Sequence, residues 1–360
     1  MTKVTSPSID FGRPWEEPWP KEGLETIGRC PVCGAQDKSI LYSDLVDNTF
    51  FCAPGVWTLW QCHKCRSAYL DPRPTPEAIG LAYKNYYTHG AGDSKTDYHR
   101  LGIVRKVRRR LVNGYTRARY CSPDEPQSGL GYLLGHIIPF VKQTPDRYYR
   151  HLPKPKVGSN KLLDIGCGDG GFLLLAKACG WDTYGWDPDE NAVLSARAKG
   201  LHVINTGEEY FDGEKEVFDV ITLGHVIEHV HDPRKTLQKC FDLLKPGGML
   251  WIETPNVDSI GGNEFGCNWR GWETPRHLTI FSRHSLRKAL RCSGFRRVID
   301  AGRPSPAAWT FKKSLAMTLG YSPSEAMQLD YKTRFKVCRA RLIGVFLPSR
   351  REFLTLIAYK

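Results

Sequence analysis

The segment Lys161-Leu-Leu-Asp-Ile-Gly-Cys-Gly-Asp-Gly-Gly-Phe172 constrains the fold more than any other stretch of the chain. Leu162, Leu163 and Ile165 form a short apolar run of the kind that makes a strand buried on both faces. Gly166, Gly168, Gly170 and Gly171 then end the strand in a turn. Phe172, Leu175, Ala176 and Cys179 recur at helical spacing, and Gly180 supplies a stop. A turn without Cβ atoms lets backbone N–H groups approach a ligand, and the helix start adds unpaired donors and a positive field. Such a turn binds a nucleotide-like cofactor and belongs in an open α/β sheet.

The glycines do not choose the cofactor. Gly166-x-Gly168-x-x-Gly171 satisfies the dinucleotide pattern. Asp164-x-Gly166-x-Gly168-x-Gly170 satisfies the pattern of S-adenosylmethionine (SAM) sites equally well. Trp181–Asp187 reads as a second strand whose terminal acid, Asp187, is placed to accept ribose hydroxyls of either cofactor. A later strand, Phe218–His225, runs into Val226-Ile-Glu-His-Val-His-Asp-Pro233. Leu237, Cys240, Phe241 and Leu244 mark a helix, and Lys245-Pro-Gly-Gly248 leads into the strand Met249–Glu253.

Taken in order, Asp164-Ile-Gly-Cys-Gly, Asp187, Glu228-His229 and Leu244-Lys-Pro-Gly-Gly248 resemble the class I SAM-dependent methyltransferases, in particular the ubiquinone-methylase-like branch. That branch includes bacterial sugar and polysaccharide-pathway methyltransferases, some with an N-terminal zinc-binding module. The resemblance implies a Rossmann-like, seven-stranded α/β sheet with an antiparallel last strand, a small zinc-ribbon-like module and helical cap insertions. It implies SAM as cofactor, with Asp164, Gly166, Gly168 and Gly170 around the methionine end and Gly224 nearby. Asp187 would hold the ribose, Pro188 would pack by the adenine, and Glu208 or Glu209 would meet the adenine amine.

Cys30-Pro-Val-Cys33 and Cys62-His-Lys-Cys65 are paired knuckles that can close one tetrahedral thiolate site, so Zn²⁺ with a structural role is expected there. Cys52 and His63 fit the pairing less well. Thr49–Phe51 and Val56–Trp60 read as the intervening strands. The expected organisation is a zinc module over 26–76 and a helical linker with a basic amphipathic segment over 77–150. The methyltransferase domain would fill 151–360, with a helical insertion near 303–350.

In this fold the reacting methyl lies by the C-terminal ends of the first and fourth strands. His225, Glu228 and His229 are therefore catalytic candidates. Pro275-Arg-His-Leu278 looks like a substrate loop, so His277 is a fourth candidate for proton transfer and Arg276 a candidate anion grip. Phe295–Asp300 and Glu352–Lys360 read as the last two strands.

The formal charge of +13 calls for an anionic partner or a basic surface. Arg105, Lys106, Arg108, Arg109 and Arg110 cluster on a helix striped by Leu101, Val104, Val107 and Leu111, a pattern suited to an anionic membrane. Pro7, Pro14, Pro18 and Pro20 interrupt any signal-peptide core, and the apolar run Leu130–Val141 is too short to span a bilayer. A cytoplasmic enzyme, peripheral at most at the inner membrane face, is expected. Its reaction would be O- or C-methylation of a sugar-containing small molecule, anionic, nucleotide-linked or lipid-linked. The alternative is RNA methylation, with the zinc module and basic surface binding the nucleic acid; the Leu223-Gly-His-Val226 sequence lacks the Asn-Pro-Pro-Tyr type of tetrad used for base N-methylation.

Overall fold

The computed structural model describes residues 13–83, 102–205, 211–302, 306–323 and 328–360. The N-terminal part contains β1 (Leu24–Glu25), β2 (Lys38–Leu45), β3 (Trp57–Cys62), β4 (Ala68–Leu70) and β5 (Arg73–Pro74). Three helices follow: α1 (Ile103–Tyr120), α2 (Leu130–Ile137) and α3 (Pro139–Tyr148). The apolar run at 130–141 is thus split between two short helices. Among the described residues, no helix is long and apolar enough to cross a membrane.

From there the chain alternates. β6 (Lys161–Ile165), α4 (Gly171–Ala178), β7 (Asp182–Trp186), α5 (Glu190–Ala198), β8 (His202–Ile204) and β9 (Phe218–Gly224) form one run. Next come α6 (Pro233–Leu243), β10 (Leu244–Pro255), α7 (Ile260–Phe265), β11 (Thr279–Ile280), α8 (Arg283–Cys292) and β12 (Arg297–Asp300). The chain closes with α9 (Ala307–Thr318), α10 (Tyr331–Phe346) and β13 (Phe353–Tyr359).

The main sheet has seven strands in the order β12-β13-β10-β9-β6-β7-β8. β6 pairs parallel with β7 and β9, β9 parallel with β10, and β13 runs antiparallel to both β10 and β12. Leu162, Leu163, Val220, Ile221, Leu250 and Ile252 are buried, as strands covered by helices on both faces require. The order changes direction beside β6, so the crevice at the strand ends opens between β6 and β9. The α/β class and the antiparallel last strand are as the sequence led one to expect. The helices α9 and α10 fill the interval before the last strand.

The N-terminal sheet has the order β11-β4-β3-β2. Its edge strand β11 comes from the far side of the sequence, with Thr279 opposite Tyr69 and Ile280 opposite Ala68. The cysteine-bearing part is therefore built into the methyltransferase-like part rather than hung from it. Thr49–Phe51 is a turn, not the expected strand. The Asp47 carboxylate accepts from the backbone N–H groups of Phe50 (3.1 Å), Cys52 (3.0 Å) and Ala53 (3.0 Å), which gives those groups an alternative to a ladder.

Candidate active site

The donor side grows out of β6. Asp164 is fully buried on that strand, and burial pushes its carboxyl above the ordinary range. Its Oδ1 accepts from Thr222 Oγ1 at 2.7 Å and from the Arg150 guanidinium, while Oδ2 has no hydrogen-bond partner among the described residues. An orphaned, buried carboxylate oxygen beside a glycine turn suits the ammonium of an amino-acid moiety. Gly166 and Gly168 have φ of 70° and 53°. A Cβ on Gly166 would meet Val226 Cγ2 at 2.3 Å, whereas above Gly168 there is open space. At the end of β7, Asp187 is buried and accepts from Gly168 N (2.7 Å) and Asp189 N (2.9 Å). The acid thus fixes the turn while facing the same crevice. Gly170, at φ 81°, opens α4. Pro188 is exposed at the crevice edge, and Glu208 and Glu209 lie outside the described residues.

Sequence reasoning missed Arg150. Its guanidinium lies 3.8 Å from the centre of the Phe172 ring, donates to Thr222 Oγ1 at 3.0 Å, and sits against Gly224. No motif marks it; only the folding of the segment after α3 back onto β6 brings it there. The residues present fit SAM: an orphaned acceptor for the ammonium, a guanidinium for the carboxylate, and an acid for the ribose.

The acceptor side is assembled from distant segments. His225, just past β9 at φ 58°, has a side chain 40% exposed. Its Nδ1 lies 3.3 Å from Glu228 Oε1 and its Nε2 lies 3.4 Å from Glu253 Oε1. Glu228 is fully buried, and its Oε2 accepts from Thr254 Oγ1 at 2.9 Å. His229 meets Tyr83 Oη (3.1 Å) and the Arg276 carbonyl (3.0 Å) through Nδ1. The ring of His277 packs 4.7 Å from that of His229. The four candidates converge, with Tyr83 and Glu253 added to them by the fold.

Two expectations need correction. Arg276 is no anion grip, because it is fully buried and spent on internal contacts. It donates to both oxygens of Asp47, to the Ala82 carbonyl (2.9 Å) and to Glu273 Oε1 (3.2 Å), and it lies 4.6 Å from the Phe50 ring. His277 is a poor proton acceptor: burial drives its pKa down to about 4, although Glu273 opposes this, and its Nδ1 is bound to the Gly271 carbonyl at 2.8 Å. The loop's framework is also tied to β13. Glu352 accepts from Gly261 N (2.8 Å) and Trp269 Nε1 (3.0 Å).

Below β11, Cys30, Cys33, Cys62 and Cys65 place their sulfurs within 4.8 Å of one another. The Cys30–Cys65 and Cys33–Cys62 distances are 3.5 and 3.6 Å. Metal–sulfur bonds of about 2.3 Å in a tetrahedron require separations near 3.8 Å, so the quartet fits zinc. Hydrogen bonding from Cys30 holds the Cys65 thiol down to about 5 and raises that of Cys30 in turn. Gly34 and Arg66, each following a knuckle, take positive φ to close the turns. Cys52 and His63 stand elsewhere: Cys52 contacts Asp47, and His63 bonds Asp37 (3.0 Å) and Ser39 (2.9 Å).

Sheet order, antiparallel closing strand and strand-end crevice are those that the resemblance to class I methyltransferases implied. Residues 136–299 match the family model described as a methyltransferase domain. A ubiquinone biosynthesis O-methyltransferase of Shewanella sp. (strain ANA-3) is 36% identical over 119 residues, covering 29% of this chain and 50% of that protein. A ubiquinone biosynthesis O-methyltransferase of Saccharophagus degradans is 38% identical over 133 residues, covering 34% and 56%. The chain therefore spans about half the length of the curated relatives it matches. A solved SAM-dependent methyltransferase from Archaeoglobus fulgidus is 22% identical, with a TM-score of 0.41 over 64% of this chain and 92% of that one.

Proposed function

We propose that the chain transfers the methyl group of SAM to a hydroxyl oxygen of a small molecule. The observation that carries this reading is the meeting, in one crevice, of the Asp164–glycine-turn–Asp187 donor site and the His225–Glu228–His229–His277 cluster. Both relatives are O-methyltransferases by name, which favours oxygen over carbon as the acceptor. When bound, SAM supplies an activated methyl on a sulfonium, so the protein's task is alignment, exclusion of water and handling of the acceptor's proton. Asp187 and the glycine turn orient the donor. Arg150 exchanges its Asp164 contact for the cofactor's carboxylate. His225 is the exposed member of the acceptor cluster, and it lies between the buried carboxylates of Glu228 and Glu253.

A sugar-containing acceptor remains our reading of the substrate, with lipid linkage supported by the surface. Ile103, Val104, Leu130, Leu133 and Ile137 are exposed on α1 and α2, alongside the arginines of α1, and together they suit an anionic membrane surface. Zinc in the cysteine quartet has a structural role, since a closed thiolate site leaves no coordination position for chemistry. The test is incubation with methyl-labelled SAM and hydroxyl-bearing acceptors, including glycosides, catechols and total RNA. Label in a small, alkali-stable methyl ether is expected. Label confined to acid-precipitable RNA would overturn the reading.

A further inference from the structure

We propose that the groove between the cysteine knuckles and helices α6 and α8 binds a doubly charged oxyanion, a phosphate group either free or carried on a larger molecule. The groove measures about 450 Å³ and is lined by Val32, Cys33 and Cys65 of the knuckles, by the first turns of α6 and by α8. None of its lining residues belongs to the donor or the acceptor cluster of the crevice.

Three cations stand round this groove: Arg234 and Lys235 at the start of α6, and Lys288 on α8. Among the described residues, none of the three forms an ion pair or a side-chain hydrogen bond. Other cations of the same two helices are paired: Lys239 with Asp212, and Arg283 and Arg287 with Asp300. The acid that lines the groove, Asp232, is already engaged. Its Oδ1 accepts from Arg234 N and Lys235 N at 3.0 Å each and so caps α6. Like charges gathered without a counter-charge repel one another, and an anion seated among them removes that cost. The start of α6 adds its own positive field.

The lining also limits what the anion can be. None of the described residues round the groove is aromatic, so there is no face on which a nucleobase could stack. The groove offers the planar fork of an arginine and the point charges of two lysines, donors suited to phosphate oxygens. Four thiolates around Zn²⁺ would leave a net charge of about −2 below the groove, a second candidate counter-charge for the lysines. α6 begins just behind the segment that carries His225 and His229. An anion tying α6 to α8 would brace that segment, a use that rests on the proposed methyl transfer; the binding itself does not.

The test needs no methyl acceptor. Zinc-replete protein is titrated by calorimetry with inorganic phosphate and with glycerol 3-phosphate, against sodium chloride at matched low ionic strength. Saturable, one-to-one phosphate binding is expected, with a Tm that rises with phosphate concentration and not with chloride. Replacing both lysines, Lys235→Ala with Lys288→Ala, should weaken binding about tenfold or more. Lys288→Arg should retain it, and Arg105→Ala, on a helix that does not line the groove, should leave it unchanged. Glycerol 3-phosphate binding at least as tightly as inorganic phosphate identifies a carried group; weaker binding identifies the free ion. No saturable binding of either probe would overturn the proposal. So would equal weakening by Arg105→Ala, which would make binding a property of the whole basic surface. Unchanged phosphate affinity in the double variant, with faster release of zinc, would assign the lysines to the thiolates and also overturn it. SAM affinity, measured on the same protein, reports on the methyltransferase reading, so the two failures are distinguishable.

Discussion

The donor and acceptor halves of the crevice are built by different means. The donor half is local: one strand, one turn, one helix start and the acid of the next strand, all within 164–187, with the turn's N–H groups bonded inside the unit, Gly166 N and Cys167 N to the Trp186 carbonyl and Gly168 N to Asp187. The acceptor half draws on Asp47, Tyr83, 225–229, 253–254 and 270–279, and its side chains are held by buried charge. β11 is the hinge of that assembly. Leu278 N and Thr279 N both donate to the Glu228 carbonyl (2.8 and 3.1 Å), while the same segment completes the sheet above the cysteine knuckles. Ser282 Oγ also bonds the Cys65 carbonyl at 2.9 Å. A binding site for a common cofactor can be a short reusable unit, whereas a site for one particular acceptor is assembled by tertiary structure.

The sharpest way to break this contrast is to remove the thiolate-bound metal. Structural zinc contributes on the order of 10–16 kcal/mol in small domains. Cys30→Ser, or chelation, should therefore unfold the N-terminal sheet and abolish methyl transfer. The donor half should still bind SAM, as followed by calorimetry on the soluble fraction. Loss of SAM binding in step with zinc would show that the halves are not separable.

The next effect is smaller. Arg276→Met leaves Asp47 and Glu273 buried without their shared partner, and breaking a buried pair in this way costs about 3–5 kcal/mol. Denaturant midpoints should fall accordingly and acceptor turnover should be lost, with SAM affinity near wild type. An unchanged midpoint would mean the guanidinium is not the clamp.

Legibility in the sequence followed the same division. The periodicities of β6, α4, β9 and β10 announced the sheet because each lies within a dozen residues, and the two knuckles, each only four residues long, announced the cysteine quartet. His225, Glu228 and His229 were found by their distance from a strand end. Arg150 and Asp47 were not found, since nothing local distinguishes them: the first matters only because a chain reversal carries it onto Asp164, the second only because a fully buried arginine from 229 residues away needs it. Arg276 was misread for a related reason. An exposed-looking Pro-Arg-His segment reads as a grip until burial shows that its charge is already paired.

On the donor side, Asp187→Ala should weaken SAM binding by about 1–3 kcal/mol, the worth of hydrogen bonds to a charged group. It should not alter zinc content. Full affinity would remove Asp187 from the ribose.

The smallest expected effect is on acid stability. Burial raises the Asp47 carboxyl, but the Arg276 charge outweighs it and holds the group below its ordinary range. The stability it contributes is thus complete above the unfolded value near about 3.9 and is lost as pH falls through the lower folded value. Urea midpoints should be flat from neutral pH down to about pH 5 and should drop below about pH 4. Asp47→Asn should start lower and drop less. An equal drop in both proteins would assign the acid sensitivity elsewhere.

The Asp164–glycine turn–Asp187 unit is proposed as a SAM site although its glycines equally satisfy the dinucleotide pattern. Calorimetric titration of SAM and of NAD into zinc-replete protein tests it most directly. Saturable, one-to-one SAM binding that Asp187→Ala weakens is expected, with no binding of NAD. Tight NAD binding with none of SAM would contradict it.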